Sequence, residues 1–136
     1  ILKKDEIILS IEIPYPNKKN KIFSWKLSKR YDQDISTISL AINIQTQKNL
    51  IKEIQMAAGG VAATPKCLDK LCKSMLEKKL DDAIDFATEN LDKFIQPISD
   101  LRGSRHYRLE AMKGLFRRLQ ICCMGLPFYQ KLHVEK

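Results

Sequence analysis

The sequence predicts an α+β fold, a two-layer sandwich in which an antiparallel sheet of three to four strands has a layer of about three helices on one face. The first half of the chain alternates apolar and polar residues, as half-buried strands do. The second half instead repeats apolar residues at helical spacing. Strands followed by amphipathic helices favour a sheet with helices packed on one face. At 136 residues the chain has the length of one domain, so residues 1–136 are expected to form a single core.

Four segments of the first half have the pattern of a strand. In residues 6–14, isoleucine or leucine occupies every second position. A loop that contains Pro14 and Pro16 follows this segment, because proline cannot donate a ladder hydrogen bond. The other strands are predicted at residues 22–27, 37–45 and 50–56. Since only short polar links separate the segments, we expect an antiparallel meander.

The helical half of the chain begins at a proline. Thr64 can act as the N-cap of a first helix, and Pro65 can occupy the first helical position. A second helix is predicted over residues 81–94, where Asp81 and Asp82 would lie near the positive end of the helix dipole. Both segments repeat apolar residues at helical spacing, so each is expected to bury one face.

A third helix is predicted after Gly103, with Ser104 as its N-cap. Gly125 and Pro127 are expected to end it. Its expected apolar face consists of Tyr107, Ala111, Met112, Leu115, Phe116 and Leu119.

The formal net charge of +8 raises the question of an anionic partner. The positive residues are scattered and are interrupted by an acidic stretch at residues 81–92, which argues against nucleic-acid binding. A stand-alone basic module that binds nucleic acid or an acidic protein nevertheless stays open as an alternative. No apolar run approaches the length of about 20 residues that a membrane-spanning helix needs, so no membrane partner is expected.

The four cysteines do not form a metal motif. Cys67 and Cys72 are five residues apart, whereas Cys122 and Cys123 are adjacent, so neither pair has metal-ligand spacing. The two histidines, His106 and His133, do not form a paired motif either. We therefore expect no metal site, and we interpret the cysteines as free thiols in a reducing cytoplasm.

The segment at residues 26–36, KLSKRYDQDIS, is the best candidate for a ligand site. It places cations, acids and an amide in the turn that follows an alternating strand. On that strand Lys26 would project opposite to Trp25, where an amine can meet an anion or an aromatic ring. The alternative is that Lys26, Lys29 and Arg30 form only the solvated edge of a sheet.

Two further segments stand out, AAGGVAATP at residues 57–65 and SDLRGSRHYR at residues 99–108. Gly59 and Gly60 lack the spacing of a nucleotide-binding fingerprint, so a turn or a close approach of the backbone is the favoured interpretation. The second segment opens a basic strip formed by Arg102, Arg105, Arg108, Lys113, Arg117 and Arg118.

In this order, the three segments resemble the C-terminal domain of the flavin subunit of molybdenum hydroxylases, the family of xanthine dehydrogenase, aldehyde oxidase and carbon monoxide dehydrogenase. The likeness is greatest to the bacterial xanthine dehydrogenase small subunit, and it extends from Asp5 to about Leu119. It implies the same α+β architecture. It also implies FAD as the cofactor, shared with an FAD-binding domain that would precede this chain.

The resemblance implies positions for five residues. Lys26 matches a lysine that lies against the flavin, and Arg30, Asp32, Gln33 and Asp34 fall in the loop beside the ring, of which Lys26, Arg30, Asp32 and Gln33 are the expected cofactor-binding residues. Many animal relatives have an acid where this chain has Gln33, so no charge effect on the flavin can be attributed to that position. The resemblance implies no catalytic residue in this domain.

The resemblance also implies the partners of a larger oxidoreductase. In such an enzyme a purine is oxidised at a molybdenum cofactor, and electrons pass through iron–sulfur clusters to FAD and then to NAD. The expected neighbours are the upstream FAD-binding domain, the iron–sulfur domain and the molybdenum-binding subunit. Part of the basic strip is expected to face those neighbours. The alternative is a solvated helix surface in which Asp100 pairs with a nearby arginine.

Overall fold

A computed structural model describes residues 2–15 and 17–125, so Pro16, Pro127 and His133 lie outside the described residues. Four strands are followed by three α-helices, with a short 3₁₀ turn between the last two helices. The elements are β1 (Lys21–Leu27), β2 (Ile38–Gln47), β3 (Leu50–Gly59), β4 (Lys66–Cys67), α1 (Asp69–Met75), α2 (Leu80–Glu89), the 3₁₀ turn (Leu91–Lys93) and α3 (Arg105–Cys123).

The four strands form one antiparallel sheet in the order β1, β2, β3, β4. Leu40 of β2 lies between Trp25 of β1 and Ala58 of β3, and all three face the helices. A register shift at Gln45 and Thr46 interrupts the β2–β3 ladder. The predicted α+β class and antiparallel sheet are therefore confirmed.

The core lies between the helices and one face of the sheet. Alternate residues of β2 and β3 are buried there, because successive side chains of a strand point to opposite faces. Helical residues such as Leu71, Ile84 and Phe116 close the other side of the same cluster. The opposite face of the sheet is open and mixes polar with apolar side chains, and its exposed residues include Ile22, Ser24, Ala41, Gln55 and Ala57.

The strand predicted at residues 6–14 is absent from the sheet, which is a correction to the prediction. Ile7, Leu9, Ile11 and Ile13 are 77–90% exposed, and no element of the described chain pairs with them. Alternation shows that a segment can form a strand, but a strand also needs a neighbour to complete its hydrogen bonds. The fourth strand is instead β4, whose two residues are too few to show a pattern.

The first helix begins later than Thr64 and Pro65 predicted. Residues 66–67 pair with Ala57 and Ala58 of β3, so the helix starts only at Asp69. The amide of Leu68 donates to the carbonyl of Met56 at 2.9 Å, which extends this pairing to the residue before the helix. Tertiary pairing thus overrides a local start signal.

The second helix is shorter than the predicted 81–94, because α2 ends at Glu89 and residues 91–93 form the 3₁₀ turn. In α3 the predicted cap is confirmed, since the Oγ atom of Ser104 accepts a hydrogen bond from the amide of Tyr107 at 3.1 Å. Gly125 follows the helix with φ of +70°, as the predicted stop requires.

Gly60 has φ of +75° in the connection between β3 and β4, which confirms the turn interpretation of the glycine pair. A Cβ atom at this position would collide with the carbonyl oxygen of Thr37 and would lie 2.8 Å from a guanidinium nitrogen of Arg108. The backbone is therefore close-packed here and leaves no space for a side chain.

We expect Gly60→Ala to lower the free energy of unfolding by about 3 kcal/mol, since it combines positive-φ strain with overpacking. The control is the same substitution at Gly114, an exposed position of α3 where an added Cβ atom would have no other atom within 4 Å. Gly114→Ala should raise the free energy of unfolding by about 1 kcal/mol through helix propensity. Urea denaturation followed by circular dichroism measures both, and equal effects of the two variants would contradict the packing argument.

Candidate functional site

The turn between β1 and β2 is organised by the carboxylate of Asp34. Its Oδ2 atom accepts hydrogen bonds from the amides of Lys29 and Arg30, each at 3.0 Å. The hydrogen bond from the Arg30 amide contributes most to a lowered pKa of Asp34, and it outweighs the opposing effect of desolvation. Asp34 therefore acts as an ionised anchor of the loop and is not a free acid.

Lys26 lies near the end of β1 on the open face of the sheet, paired with Ser39 of β2. Trp25 faces the core and stacks on Phe23 with 5.4 Å between ring centroids. The predicted projection of Lys26 opposite to Trp25 is thus confirmed. The two aromatic rings are packing residues, as their spacing of two residues predicts.

Small residues surround Lys26 on the open face. Ser39 and Gly59 follow Lys26 across the sheet, and the neighbouring row contains Ser24, Ala41 and Ala57. A Cβ atom at Gly59 would lie 2.6 Å from the Oγ atom of Ser39, so a side chain at position 59 would crowd Ser39. The glycine therefore leaves the sheet surface without side-chain bulk at this position. The open face of the sheet therefore forms a shallow surface, here called the shallow floor, beside the amine of Lys26.

Arg30, Asp32 and Gln33 lie on the exposed rim of the turn. The guanidinium of Arg30 is 75% exposed and 3.9 Å from Asp34, a distance at which an exposed ion pair adds little stability. Asp32 accepts a hydrogen bond from the amide of Gln33 at 2.8 Å, and Gln33 has φ of +49°. The structure therefore places Lys26 on the sheet and the other three predicted residues in the turn that follows it.

A second loop, residues 98–104, lies against this turn. The Nζ atom of Lys29 donates to the carbonyl of Leu101 at 2.6 Å, and the hydroxyl of Thr37 donates to the carbonyl of Arg102 at 3.4 Å. Lys29 is therefore held by a neighbouring loop, contrary to the interpretation of this lysine as only a solvated edge. The sequence alone did not indicate this contact.

Arg108 joins the three segments that stood out in the sequence. Its side chain is only 3% exposed, and one guanidinium nitrogen donates to the carbonyls of Thr37 and, at 3.2 Å, of Gly60. The other terminal nitrogen donates to the carboxylate of Asp100 at 2.6 Å, and Nε donates to the carbonyl of Gly103 at 3.4 Å. One buried cation thus connects the β1–β2 turn, the glycine turn and the 98–104 loop.

Arg108 is therefore not part of an exposed basic strip, which corrects the prediction for this residue. Arg102, Arg105 and Arg117 are exposed, as predicted. Asp100 lies 2.6 Å from Arg108, which agrees with the alternative in which Asp100 pairs with a nearby arginine. The pKa of Asp100 is lowered, first by the hydrogen bond from the Arg102 amide and then by the bond from Arg108.

One signal in the sequence favoured the burial of Arg108. It lies four residues before Met112, so it shares the helical stripe that is buried in α3. Tyr107, which the prediction placed on that stripe, is 49% exposed. A charged residue on an apolar stripe is the signal that could have identified this buried link.

The thiols and the histidine add no site to this region. All four cysteines are free, and burial raises the pKa of Cys72 to about 11, so this thiol stays protonated near neutral pH. In the part of the chain that the structure describes, no group of three or more potential ligands could hold a metal ion. Within the same residues no helix is long and apolar enough to cross a membrane.

A groove of about 700 Å³ lies elsewhere, between residues 61–71 and residues 93–98. None of the four predicted site residues lines this groove. We regard it as separate from the candidate site, because the cations and the shallow floor lie at the β1–β2 turn.

Comparison with known proteins places this geometry in context. Residues 23–122 match the family model described as the CO dehydrogenase flavoprotein C-terminal domain. The chain is 31% identical over 113 residues to the glyceraldehyde dehydrogenase medium chain of Sulfolobus acidocaldarius, covering 82% of this chain and 40% of that one. It is 27% identical over 99 residues to the xanthine dehydrogenase/oxidase of Gallus gallus, covering 68% of this chain and 7% of that one.

Among solved structures, the Cu,Mo-CO dehydrogenase in its cyanide-inactivated form superposes with a TM-score of 0.69 at 26% identity. That match covers 78% of this chain and 37% of the other chain. The chain thus spans no more than 40% of the length of these three proteins.

We expect Arg108→Met to lower the free energy of unfolding by about 3 kcal/mol, because three backbone carbonyls and a carboxylate lose their donor. Arg105→Met is the matched control, since it removes the same group from an exposed position in the same helix. It should change the free energy of unfolding by less than about 0.5 kcal/mol. Urea titrations of the two variants make the comparison, and an Arg108 variant as stable as the Arg105 variant would contradict the role of this link.

Proposed function

The chain belongs to the family of CO dehydrogenase flavoprotein C-terminal domains, and we propose that it forms one wall of the FAD site in a molybdenum hydroxylase of xanthine dehydrogenase type. The observation that carries the proposal is the family match over residues 23–122, which includes the whole β1–β2 turn and the open face of the sheet. In this proposal a purine is oxidised at a molybdenum cofactor, and iron–sulfur clusters deliver the electrons to FAD for the reduction of NAD.

The residues at the turn suit a flavin. A planar ring can approach the sheet closely beside Lys26, because Ser24, Ser39 and Gly59 present almost no side-chain bulk there. The Lys26 amine can donate hydrogen bonds to the polar edge of such a ring. When bound, FAD supplies the capacity to accept an electron pair and pass it on.

The remaining predicted residues would act at the rim of the site. Arg30 is only loosely paired, so its guanidinium can attract an anionic dinucleotide such as NAD. Asp32 holds the amide of Gln33 and so supports the positive φ of that residue. Gln33 is neutral, so in this proposal it shapes the rim and does not alter the charge near the flavin.

The rest of the cofactor would lie on another domain. This domain offers no phosphate-binding fingerprint, and the chain spans 37–40% of the matched medium chain and CO dehydrogenase chain. We propose that a preceding FAD-binding domain of the same subunit carries the pyrophosphate. In the assembled enzyme, Arg102 and Arg105 would face the iron–sulfur or molybdenum portions, because both side chains are exposed.

We expect Lys26→Met in the whole flavin subunit to raise the Kd for FAD about 10-fold, the loss of one charge-assisted hydrogen bond. Lys19→Met is the control, because it removes the same charge from the exposed turn before β1. Flavin fluorescence titration of the deflavinated subunit measures both. Unchanged affinity in the Lys26 variant would argue against its place at the ring.

A second titration tests the division of the site between domains. The 136-residue chain alone should not bind FAD stoichiometrically at micromolar concentration, since it would supply only one wall. Tight one-to-one binding by this chain alone would contradict the proposal that the pyrophosphate lies on another domain.

The proposed substrate and acceptor are tested in the assembled enzyme. We expect xanthine to drive the reduction of NAD, followed by absorbance at 340 nm, which is the standard band of NADH. Glyceraldehyde is the comparison substrate, because a relative carries that name. Activity with glyceraldehyde and none with xanthine would assign the parent enzyme to a different branch of the family.

A further inference from the structure

The groove beside the last strand of the sheet is separate from the proposed flavin wall. It has a volume of about 700 Å³ and lies between residues 61–71 and residues 93–98. The amide of Gln96 donates to the carbonyl of Val61 at 3.0 Å, which joins the two segments. β4 is the edge strand at this end of the sheet, and both of its residues line the groove. The groove therefore borders an open sheet edge.

The floor of the groove is apolar. Val61, Leu71 and Ile95 line it and are no more than 2% exposed, because they belong to the core. Phe94 is half-buried, whereas Ile98 is still 52% exposed. An apolar side chain placed on this floor would leave water and contact side chains that the core already holds in position.

Three lysines surround the floor. Lys66, Lys70 and Lys93 are exposed, and among the described residues that line the groove the one carboxylate is that of Asp69. None of the three lysines forms an ion pair with another described residue. Lys93 donates to the Oδ1 atom of Asn90 at 2.7 Å, whereas the ammonium groups of Lys66 and Lys70 donate no hydrogen bond within the described chain. The charge of the groove therefore favours an anionic occupant.

The backbone beside the floor has free hydrogen-bonding groups. No amide or carbonyl of residues 62–64 bonds to another described residue. Among the described strands, β4 has a neighbour on one side only, which is β3. An extended peptide can satisfy such groups by lying along a sheet edge, where its main chain supplies affinity and its alternate side chains enter pockets. A small anion has no such backbone, so the free edge favours a peptide as the occupant.

We propose that this groove binds an extended acidic peptide segment of a partner protein. An apolar side chain of the segment would lie on the floor beside Phe94, and flanking acidic side chains would reach Lys66 and Lys70. Lysine on a short edge strand discourages pairing with basic strands, so the same residues select the charge of the partner. None of the four residues assigned to the flavin lines the groove, so this contact is independent of the proposed flavin site.

Selection from a random heptapeptide library displayed on phage tests the chemistry of the partner. With the 136-residue chain as the target, we expect the enriched peptides to combine acidic residues with a large apolar residue. Enrichment of basic or uncharged peptides, or no enrichment, overturns the proposal.

Cys67 reports whether a selected peptide occupies the groove. This cysteine is exposed and lines the groove, whereas Cys72 is buried. A saturating peptide should slow the alkylation of Cys67 by N-ethylmaleimide at least about 10-fold, because thiol reactivity depends on access. Mass spectrometry of the digested chain measures the rate, with Cys122 as the internal control outside the groove. Unchanged alkylation of Cys67 overturns the assignment, as does protection by 2-naphthoate and by no peptide, which would assign the groove to a small anion.

Two double substitutions of equal charge change test the lysines. Lys66→Glu combined with Lys70→Glu should raise the Kd of the selected peptide at least about 10-fold, because like charges then face its acids. Lys18→Glu combined with Lys19→Glu is the control in the exposed turn before β1, and it should change the Kd less than about 2-fold. Fluorescence anisotropy of the labelled peptide measures both, and equal Kd values in the two variants would contradict the role of the lysines.

A second pair of substitutions tests the apolar contact without a change of charge. Ile98→Ser should raise the Kd about 5-fold, because it removes apolar surface from the groove. Leu101→Ser is the control, since this side chain is 95% exposed and lies outside the groove, and it should leave the Kd unchanged. The pair also decides the outcome if the lysine variant does not fold, which circular dichroism detects. Equal Kd values for the two serine variants would overturn the placement of the peptide on this floor.

Discussion

The guanidinium of Arg108 is the interaction on which the arrangement of the loops depends. It donates to carbonyls of Thr37 and Gly60 and to the carboxylate of Asp100, so helix α3 is connected to the loops at one end of the sheet and to the 98–104 loop. A buried cation is stable only when its donors are satisfied, which leaves the backbone of these loops few alternatives. The absence of a side chain at Gly60 is part of the same constraint, because a Cβ atom would occupy the space beside the guanidinium.

The two faces of the sheet have different roles. One face is filled by the helices, and its packing accounts for the stability of the domain. The other face carries small side chains around Lys26, and the anchored turn beside it presents Arg30 outward. Asp34 contributes locally, since its carboxylate is already engaged by two amides and keeps the turn closed. In the proposed flavin site, this arrangement offers a preorganised wall and leaves the phosphates to a second domain.

Sequence alone determined the features that depend on short-range pattern. Alternation located β1, β2 and β3 and the side of the strand on which Lys26 lies, and Ser104 marked the start of α3. The three segments were also sufficient to indicate the family. The tertiary structure decided which strand sequences found partners, since residues 6–14 remain unpaired whereas Lys66–Cys67 complete the sheet. It also decided that Arg108 is buried, that Asp34 closes the turn and that Lys29 reaches Leu101. The physical reason is that periodicity reports which face of a segment prefers burial, whereas hydrogen-bond partners far apart in the chain are chosen only when the elements pack.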